Sequence, residues 1–311
     1  MTIEWLDGQS NARQCLAVSF RQMLSRGRIV VAAGAHDGMS ALLARDAGFE
    51  ALYLSGAALS ASMALPDLGL LTLEDVTRRA REIVRASQLP LIVDCDTGFG
   101  EAMNVMRTVR ELEELGAACI QIEDQQMPKK CGHLNDKKLV SMDDMCRKVS
   151  AAKSAASDLV VCARTDASST SLEDALTRAR AYSDAGADLI FVEALASEDH
   201  IRRVRESVSA PLLANMTEFG RTPQIPAADW GRFGYNVVIF PVSAFRVSSR
   251  AAQRFYASLK TRGDVTEFLA EMMPRAELYN VIRYYDYEAL DATIAKTVLW
   301  PSNSSGTKSD E

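Results

Sequence analysis

The sequence predicts an α/β fold, namely a (β/α)8 barrel of the TIM type with extra C-terminal helices. Eight short apolar runs rich in Val, Ile and Leu alternate with longer amphipathic segments, which is the pattern of repeated βα units. The runs are nearly continuous in hydrophobic residues, as is typical of strands buried on both faces of a parallel sheet. A doubly wound open sheet is the alternative, but no GxGxxG motif follows the first run.

The predicted elements follow in order along the chain. Strands are expected at Ile29–Ala33, Ala51–Leu54, Leu91–Cys95, Cys119–Ile122, Leu159–Ala163, Leu189–Val192, Leu212–Ala214 and Val237–Phe240. Amphipathic helices are expected at Leu73–Ala86, Met103–Leu115, Met142–Ala156, Leu172–Ala185 and Glu198–Ser207. Gly48, Gly116 and Gly186 stand shortly before strands, where they fit the left-handed ends of helices.

The region after the eighth strand predicts further helices, at Arg246–Gly263, Val265–Met273 and Arg275–Leu290. We expect residues 1–311 to form one barrel domain with a helical extension over about 264–297. The Ser-rich tail 301–311 should be disordered. Tyrosines between positions 279 and 287 favour packing of the extension against another subunit, in a homo-oligomer, with packing on the same chain as the alternative.

The composition excludes several classes of protein. The 311 residues are 48% hydrophobic with a net charge of −6, and such mild acidity argues against a nucleic-acid partner. No apolar run reaches the length that spans a bilayer, and Met1–Ser10 lacks the apolar core of a signal peptide. A cytoplasmic location without membrane attachment is therefore expected. The 6 cysteines show no paired CxxC spacing, which argues against a zinc ribbon or a disulfide framework.

Acidic residues stand where the third and fourth predicted strands end. Asp94 and Asp96 come at the end of one strand, and Glu123 follows the next. The carboxyl ends of barrel strands meet at the face that holds the active site, and residues two apart on a strand share a side. An oxygen-only cluster suits Mg²⁺, or Mn²⁺, rather than Zn²⁺. A capping or turn role for Asp-x-Asp is the alternative.

A thiol in a polar loop is the second chemical feature, in Lys129-Lys130-Cys131-Gly132-His133. Cations next to Cys131 should lower the pKa of its thiol and make it an acid or base that works near neutral pH. Gly132 allows the backbone to approach a ligand closely. The alternative is an exposed lysine-rich turn with an incidental cysteine.

Several side chains near the strand ends can bind carboxylate oxygens. The donors are Arg164, Asn215, Thr217 and Arg246, and Ser55 with the amides of Gly56 and Ala57 offers another cradle for an anion. An arginine fork fixes the orientation of a carboxylate through two bonds. Together with a metal ion, these donors predict a small di- or tricarboxylic hydroxy or keto acid as the substrate.

A set of short motifs carries these residues. They are Tyr53-Leu54-Ser55-Gly56-Ala57, Leu65-Pro66-Asp67-Leu68-Gly69, Asp94-Cys95-Asp96-Thr97-Gly98-Phe99-Gly100, Ile122-Glu123-Asp124-Gln125, Lys129-Lys130-Cys131-Gly132-His133, Ala163-Arg164-Thr165-Asp166 and Asn215-Met216-Thr217-Glu218-Phe219-Gly220. Together they resemble the isocitrate lyase / phosphoenolpyruvate mutase superfamily, and within it the methylisocitrate branch. The cysteine-containing loop is typical of the lyases. Leu134 and Ala57 depart from an arginine and a glycine common among relatives.

The resemblance implies a Mg²⁺-dependent carbon–carbon lyase of the methylcitrate cycle, which cleaves (2R,3S)-2-methylisocitrate to pyruvate and succinate in propionate catabolism. A relative that cleaves dimethylmalate or decarboxylates oxaloacetate is the alternative. Asp94 and Asp96 would bind the metal, Cys131 would be the general acid, and Tyr53 or Glu123 the base. The implied substrate contacts are Ser55, Gly56, Ala57, Cys131, Gly132, Arg164, Glu193, Asn215, Met216, Thr217, Arg246 and Arg275. A tetramer that exchanges its C-terminal helices is also implied.

Overall fold

The computed structural model describes residues 16–134 and 136–297, together with Leu6. Cys15 and the predicted tail 301–311 lie outside the described residues. The described chain divides into a barrel unit that ends at Val265 and a C-terminal unit that begins at Thr266.

Eight parallel strands close into a barrel in chain order. They are β1 Val30–Gly34, β2 Ala51–Leu54, β3 Leu91–Asp94, β4 Cys119–Glu123, β5 Val160–Thr165, β6 Leu189–Val192, β7 Leu212–Asn215 and β8 Val237–Phe240. β8 pairs in parallel with β1 and closes the ring. Each strand lies within two residues of its predicted bounds, so the predicted (β/α)8 fold is confirmed. All residues of β4 and β5 are buried, because a strand between the barrel interior and the outer helices has no solvent face.

Helices follow the strands around the barrel unit. They are α1 Leu16–Leu24, α2 Gly38–Asp46, α3 Gly56–Ser62, α4 Leu73–Ser87, α5 Ala102–Glu114, α6 Met142–Ala155, α7 Leu172–Asp184, α8 Glu198–Ser207, α9 Ala227–Arg232 and α10 Ser243–Arg262. Polar residues begin most of them; at α4, Thr72 and Asp75 form a reciprocal capping box. None of the helices in the described part of the chain is long and apolar enough to cross a membrane.

α1, which we did not predict, covers the end of the barrel opposite the carboxyl ends of the strands. Phe20, Met23 and Leu24 on this helix are buried in one cluster with barrel-interior residues that include Cys119 and Cys162. The two cysteines are therefore core residues, as their apolar surroundings in the sequence indicate.

A half-buried charge network fixes α1 to the barrel. The Asp188 carboxylate accepts hydrogen bonds from Arg21 on α1 at 2.9 and 3.1 Å, from Lys153 on α6 at 2.7 Å and from the amide of Val161 at 2.9 Å. The hydrogen bond from Arg21 is the main stabilising contact that offsets burial, and the pKa of Asp188 is lowered. This carboxylate therefore joins α1, α6 and β5 at the end of the barrel away from the predicted site.

The C-terminal unit differs from the prediction. It contains one 3-10 turn, Thr266–Phe268, and the helices α11 Arg275–Val281 and α12 Tyr284–Thr297. The predicted helix at Val265–Met273 is wrong beyond that turn, because the segment runs into Pro274, whose extended backbone precedes α11. The predicted helix at Arg275–Leu290 is split, because Arg283 takes a left-handed φ of 58°.

Tyrosines pack on one another within the C-terminal unit. The rings of Tyr279 on α11 and Tyr284 on α12 stack at 4.3 Å, and Tyr285 meets Tyr284 edge-on at 5.5 Å. Tyr285 remains 55% exposed, so this aromatic cluster still presents surface that a partner could cover. The predicted homo-oligomer stays a prediction.

Candidate active site

One cavity at the carboxyl ends of the strands brings most of the predicted site residues together. Its lining includes Tyr53, Ser55, Ala57, Asp94, Cys131, Gly132, Arg164, Glu193, Asn215 and Thr217. Lys129 and His133 also line it. The thiol loop therefore lies over the acidic strand ends rather than on another part of the rim, as the predicted chemistry requires.

Asp94 and Asp96 converge on one point beside Gly56. A Cβ atom added to Gly56 would lie 3.2 Å from Asp94 Oδ2 and 3.2 Å from Asp96 Oδ1. The Gly56 amide donates to Asp94 Oδ2 at 3.1 Å, and Gln121 Nε2 donates to Asp94 Oδ1 at 3.3 Å. This amide of the predicted anion cradle thus binds a carboxylate of the protein itself, while Ser55 caps α3.

The buried Glu123 Oε1 on the neighbouring strand has no hydrogen-bond partner among the described residues. The Lys129 ammonium lies 2.6 Å from Asp96 Oδ1 as an ion pair and also contacts Asp67. Among the described residues, no three His, Cys, Asp or Glu side chains form a ready metal cage. A bound ion would keep several waters, which is typical of Mg²⁺, so these oxygen donors fit that metal.

The turn that carries Asp96 has an unusual backbone. Asp96 and Phe99 have φ values of 49° and 59°, and Gly98 and Gly100 lie between and after them with positive φ as well. Left-handed backbone is costly for most residues and is tolerated best by Gly, Asn and Asp. On the outer side of the turn, the buried Lys148 ammonium donates to the Thr97 carbonyl at 3.2 Å, which gives the turn a fixed support.

Arg164 lies at the centre of a buried network of acids. Its Nε and Nη2 donate to the two carboxylate oxygens of Asp166 at 3.0 and 3.1 Å. Its Nη1 lies 3.3 Å from Glu123 Oε2, and its Nη2 lies 3.5 Å from Glu193 Oε2. The guanidinium also lies 5.2 Å from the centre of the Phe191 ring. These contacts fix the fork in a single orientation.

The two candidate bases differ in their surroundings. The buried Tyr53 hydroxyl donates to Gln121 Oε1 at 2.6 Å, and burial raises its pKa well above the ordinary value. The phenol therefore keeps its proton, which weighs against Tyr53 as the base. Burial also raises the pKa of Glu123 well above its usual range, against the attraction of Arg164. A carboxylate with a raised pKa can accept a proton near neutral pH.

The predicted direction of the pKa shift of the Cys131 thiol is wrong. We predicted that neighbouring lysines lower its pKa, but the pKa is raised, chiefly by burial. Lys129 turns away to Asp67 and Asp96, and the backbone amide of His133 and the charge of Arg164, which favour the thiolate, do not offset the effect of burial. The thiol is therefore protonated at neutral pH, which is the form that a general acid needs.

His133 joins the thiol loop to the loop after β7. Its Nε2 lies 3.4 Å from Glu193 Oε1, and its Nδ1 accepts a hydrogen bond from the amide of Arg221 at 3.0 Å. Burial lowers the pKa of His133, so the ring is neutral at pH 7. Asn215 Nδ2 donates to Glu193 Oε2 at 3.1 Å, so Glu193 connects both loops to the barrel.

Three residues predicted to contact substrate, Met216, Arg246 and Arg275, are not among those that line this cavity. Met216 is fully buried in the core beside the cavity, where its sulfur accepts from the amide of Ile225. Arg246 is exposed and donates to the Glu218 carbonyl at 3.0 Å. Arg275 is the first residue of α11, in the C-terminal unit. Their contact with substrate stays a prediction.

Sequence reasoning missed two residues of the site, Gln121 and Lys137. Gln121 is the only polar residue inside the apolar run Cys119–Ile122, which is the signal that could have identified it. Lys137 binds Asp166 at 2.9 Å and the Gly132 carbonyl, but in the sequence it stands in a run of charged residues without any distinguishing signal.

Comparison with known proteins identifies the class. Residues 20–260 match the family described as Phosphoenolpyruvate phosphomutase, and the chain belongs to this family. A 2-methylisocitrate lyase of Bacillus subtilis (strain 168) is 50% identical over 298 residues, covering 96% of this chain and 99% of that protein. A 2-methylisocitrate lyase of Halalkalibacterium halodurans is 50% identical over 296 residues, covering 95% and 99%.

A solved structure agrees with the fold. The crystal structure of a 2,3-dimethylmalate lyase, described as a PEP mutase/isocitrate lyase superfamily member, matches with a TM-score of 0.85 and 38% identity, covering 90% of this chain and 95% of that one. The predicted resemblance to the isocitrate lyase / phosphoenolpyruvate mutase superfamily is confirmed.

Proposed function

We propose that the protein is a Mg²⁺-dependent carbon–carbon lyase that cleaves (2R,3S)-2-methylisocitrate to pyruvate and succinate, in the methylcitrate cycle of propionate catabolism. The observation that most directly supports this proposal is a single cavity lined by both the Asp94 carboxylate and the protonated Cys131 thiol. Relatives that are 50% identical along almost their whole length bear the name of this activity. We further propose a cytoplasmic location.

Asp94 and Asp96 would hold Mg²⁺, or Mn²⁺, together with water, since Asp94 Oδ2 and Asp96 Oδ1 converge on one point. Lys129, 2.6 Å from Asp96 Oδ1, would share that carboxylate with the ion. When bound, the ion would supply a Lewis acid that favours loss of the substrate's hydroxyl proton. The buried Lys129 ammonium offsets part of the negative charge of the acids around it.

Glu123 is the proposed base. It would take the proton of the C2 hydroxyl, the C2–C3 bond would break, and the C2–O bond would become the carbonyl of pyruvate. The electron pair would pass to C3 and into the adjacent carboxylate. Arg164 and Asn215, the nearby donors, would stabilise that charge. Ser55, Gly56, Ala57, Gly132, Glu193, Met216, Thr217, Arg246 and Arg275 complete the proposed set of substrate contacts.

Cys131 is the proposed general acid. Its thiol would protonate C3 and release succinate, so that one proton is taken and one is given in each turnover. Because the acid must be protonated at the start, the raised pKa of this thiol supports the role. The loop that carries Cys131 would exclude water while the carbanion exists.

The test is Cys131→Ser, with Cys146→Ser as the matched control. Cys146 lies on α6, where its thiol contacts the Ala181 carbonyl. Pyruvate release from methylisocitrate should fall by about 10²–10⁴-fold in the first variant and stay near the parent rate in the second. Mn²⁺ binding, measured by electron paramagnetic resonance, should not change in either. Near-normal turnover by Cys131→Ser would exclude this residue as the acid.

A second candidate is 2,3-dimethylmalate cleavage, because a lyase for that acid is 43% identical over 268 residues. Both substrates release pyruvate, so the other product decides: succinate from methylisocitrate, propionate from dimethylmalate. We expect methylisocitrate to be preferred by at least about tenfold in kcat/KM, the scale set by a small group in a pocket. A reversed preference would favour the dimethylmalate assignment.

We also propose a homotetramer that exchanges C-terminal helices. α10 has 20 residues and none of them is buried. Beside it lies a largely apolar cavity of about 650 Å³, lined by residues such as Val31, Leu43 and Phe240. A barrel helix without a fully buried residue on its own chain leaves an apolar surface for another subunit. Light scattering should give four times the 34.0 kDa chain mass, and a monomer would refute the assembly.

A further inference from the structure

The thiol belongs to a segment that leaves the barrel and returns to it. This segment, residues 126–138, is called the Cys131 loop and is described apart from residue 135. At its base, Gln125 and Leu139 form an isolated antiparallel bridge, and the Gln126 amide donates to the Lys138 carbonyl at 2.7 Å. The loop is therefore hinged on a short base, and the position of its tip depends on side-chain contacts.

Lys137, on the returning arm of the loop, makes such a contact. Its side chain is only 3% exposed, and its ammonium lies 2.9 Å from Asp166 Oδ1 and also contacts the Gly132 carbonyl. Burying an ammonium is unfavourable without a carboxylate partner. Lys137 can therefore remain buried only while Asp166 and the Gly132 carbonyl are within its reach, which is the closed position of the loop.

The tip of the loop lies directly against the Arg164 network. A Cβ atom added to Gly132 would be under 3.0 Å from Arg164 Nη2, Glu193 Cγ and Asp166 Oδ1. Asp166 also binds Arg164 through both of its oxygens. The Asp166 carboxylate therefore binds both the Arg164 guanidinium and the Lys137 ammonium. The position of Cys131 and the orientation of Arg164 thus depend on the same side chain.

We propose that Lys137 is a positioning residue that holds the Cys131 loop closed on Asp166, and that its release opens the cavity to substrate. The inference rests on the proposed function only in taking Cys131 as the acid. The reaction needs no chemistry from Lys137; the residue sets where the thiol lies relative to Arg164.

The test measures the rate at which iodoacetamide alkylates Cys131 in the full-length protein, followed by mass spectrometry of the Cys131 peptide. Lys137→Met should raise this rate about tenfold, the scale of a lost charged hydrogen bond. The matched control is Lys138→Met, at the exposed neighbouring position, which should leave the rate unchanged. Lys137→Gln keeps a donor for the Gly132 carbonyl without the charge and should give an intermediate rate.

Equal alkylation rates in Lys137→Met and Lys138→Met would overturn the proposal. Failure of both Lys137 variants to fold would also overturn it, because the residue would then support the fold rather than the loop. Alkylation needs no substrate, so it separates this inference from the substrate assignment. With methylisocitrate turnover in hand, Lys137→Met should lower kcat while leaving Mn²⁺ affinity unchanged, and Lys137→Arg should restore part of kcat.

Discussion

Substitution of Gly132 by alanine tests how closely the Cys131 loop packs on the network below it. The added methyl group would lie under 3.0 Å from Arg164 Nη2 and Glu193 Cγ, whereas carbon contacts need about 3.5–4.0 Å. Arg164 cannot retreat, because Asp166 holds it at 3.0 and 3.1 Å. The loop must therefore lift by roughly 1 Å.

A displacement of that size would separate the proposed acid, Cys131, from the carbon that it is proposed to protonate. Misplacing a catalytic group by about 1 Å can cost about 10²-fold in rate, equivalent to about 2.7 kcal/mol of transition-state stabilisation. We expect kcat/KM for methylisocitrate, followed by coupled detection of pyruvate, to fall by that amount in Gly132→Ala. The melting temperature should stay near that of the parent, because the loop contributes little to the core.

The control is Gly38→Ala, at the first position of α2. An added methyl group there meets its nearest atom, on Glu82, at 3.4 Å, so activity should change by no more than about twofold. If Gly132→Ala kept kcat/KM within the same twofold, the close packing of the loop on Arg164 and Glu193 would be refuted.

Three more outcomes follow from the described contacts. Asp188→Asn should lower the free energy of unfolding in urea by about 2 kcal/mol at pH 7, against no change for the exposed Asp184→Asn. Because the pKa of Asp188 is lowered in the folded protein, the difference should begin to shrink below about pH 4, where the unfolded carboxyl protonates, and vanish only below the lowered pKa of the folded state. The proposed acid, the Cys131 thiol, has a raised pKa, so the alkaline fall in kcat should begin above about pH 8.5, the ordinary thiol value; an alkaline fall that already begins near neutrality would contradict this role. Chelation should abolish turnover and Mg²⁺ restore it, whereas Asp96→Asn should weaken Mn²⁺ binding in calorimetry; unchanged affinity would remove Asp96 from the metal site.

The barrel was predictable because each strand is a nearly unbroken apolar run. β2, β6 and β8 have the predicted bounds, since a buried parallel strand has no polar alternation to obscure its ends. The site acids Asp94 and Glu123 were found by the same logic, from the residue at which each run stops. Patterns within a few residues therefore determine both the fold and the position of the rim.

The chemistry of the thiol was not predictable in this way. Adjacent lysines in the sequence suggest a stabilised thiolate at Cys131, but Lys129 reaches back to Asp96 and Asp67. Which acid a long side chain meets depends on contacts between distant segments. Burial then determines the pKa of the thiol, and burial of a loop is a property of the folded chain. The sequence did not identify Lys137 either, because its contact with Asp166 also joins distant segments of the chain.

The left-handed backbone at Asp96 limits which residues can serve as the second acid of the proposed metal site. Glutamate has the same chemistry, but a longer side chain at a φ of 49° would combine conformational strain with a displaced carboxylate. Asparagine tolerates that geometry but carries no charge. Engineering a different ion preference at this rim would therefore have to begin with the shape of the turn, because the main chain already restricts the choice of ligand.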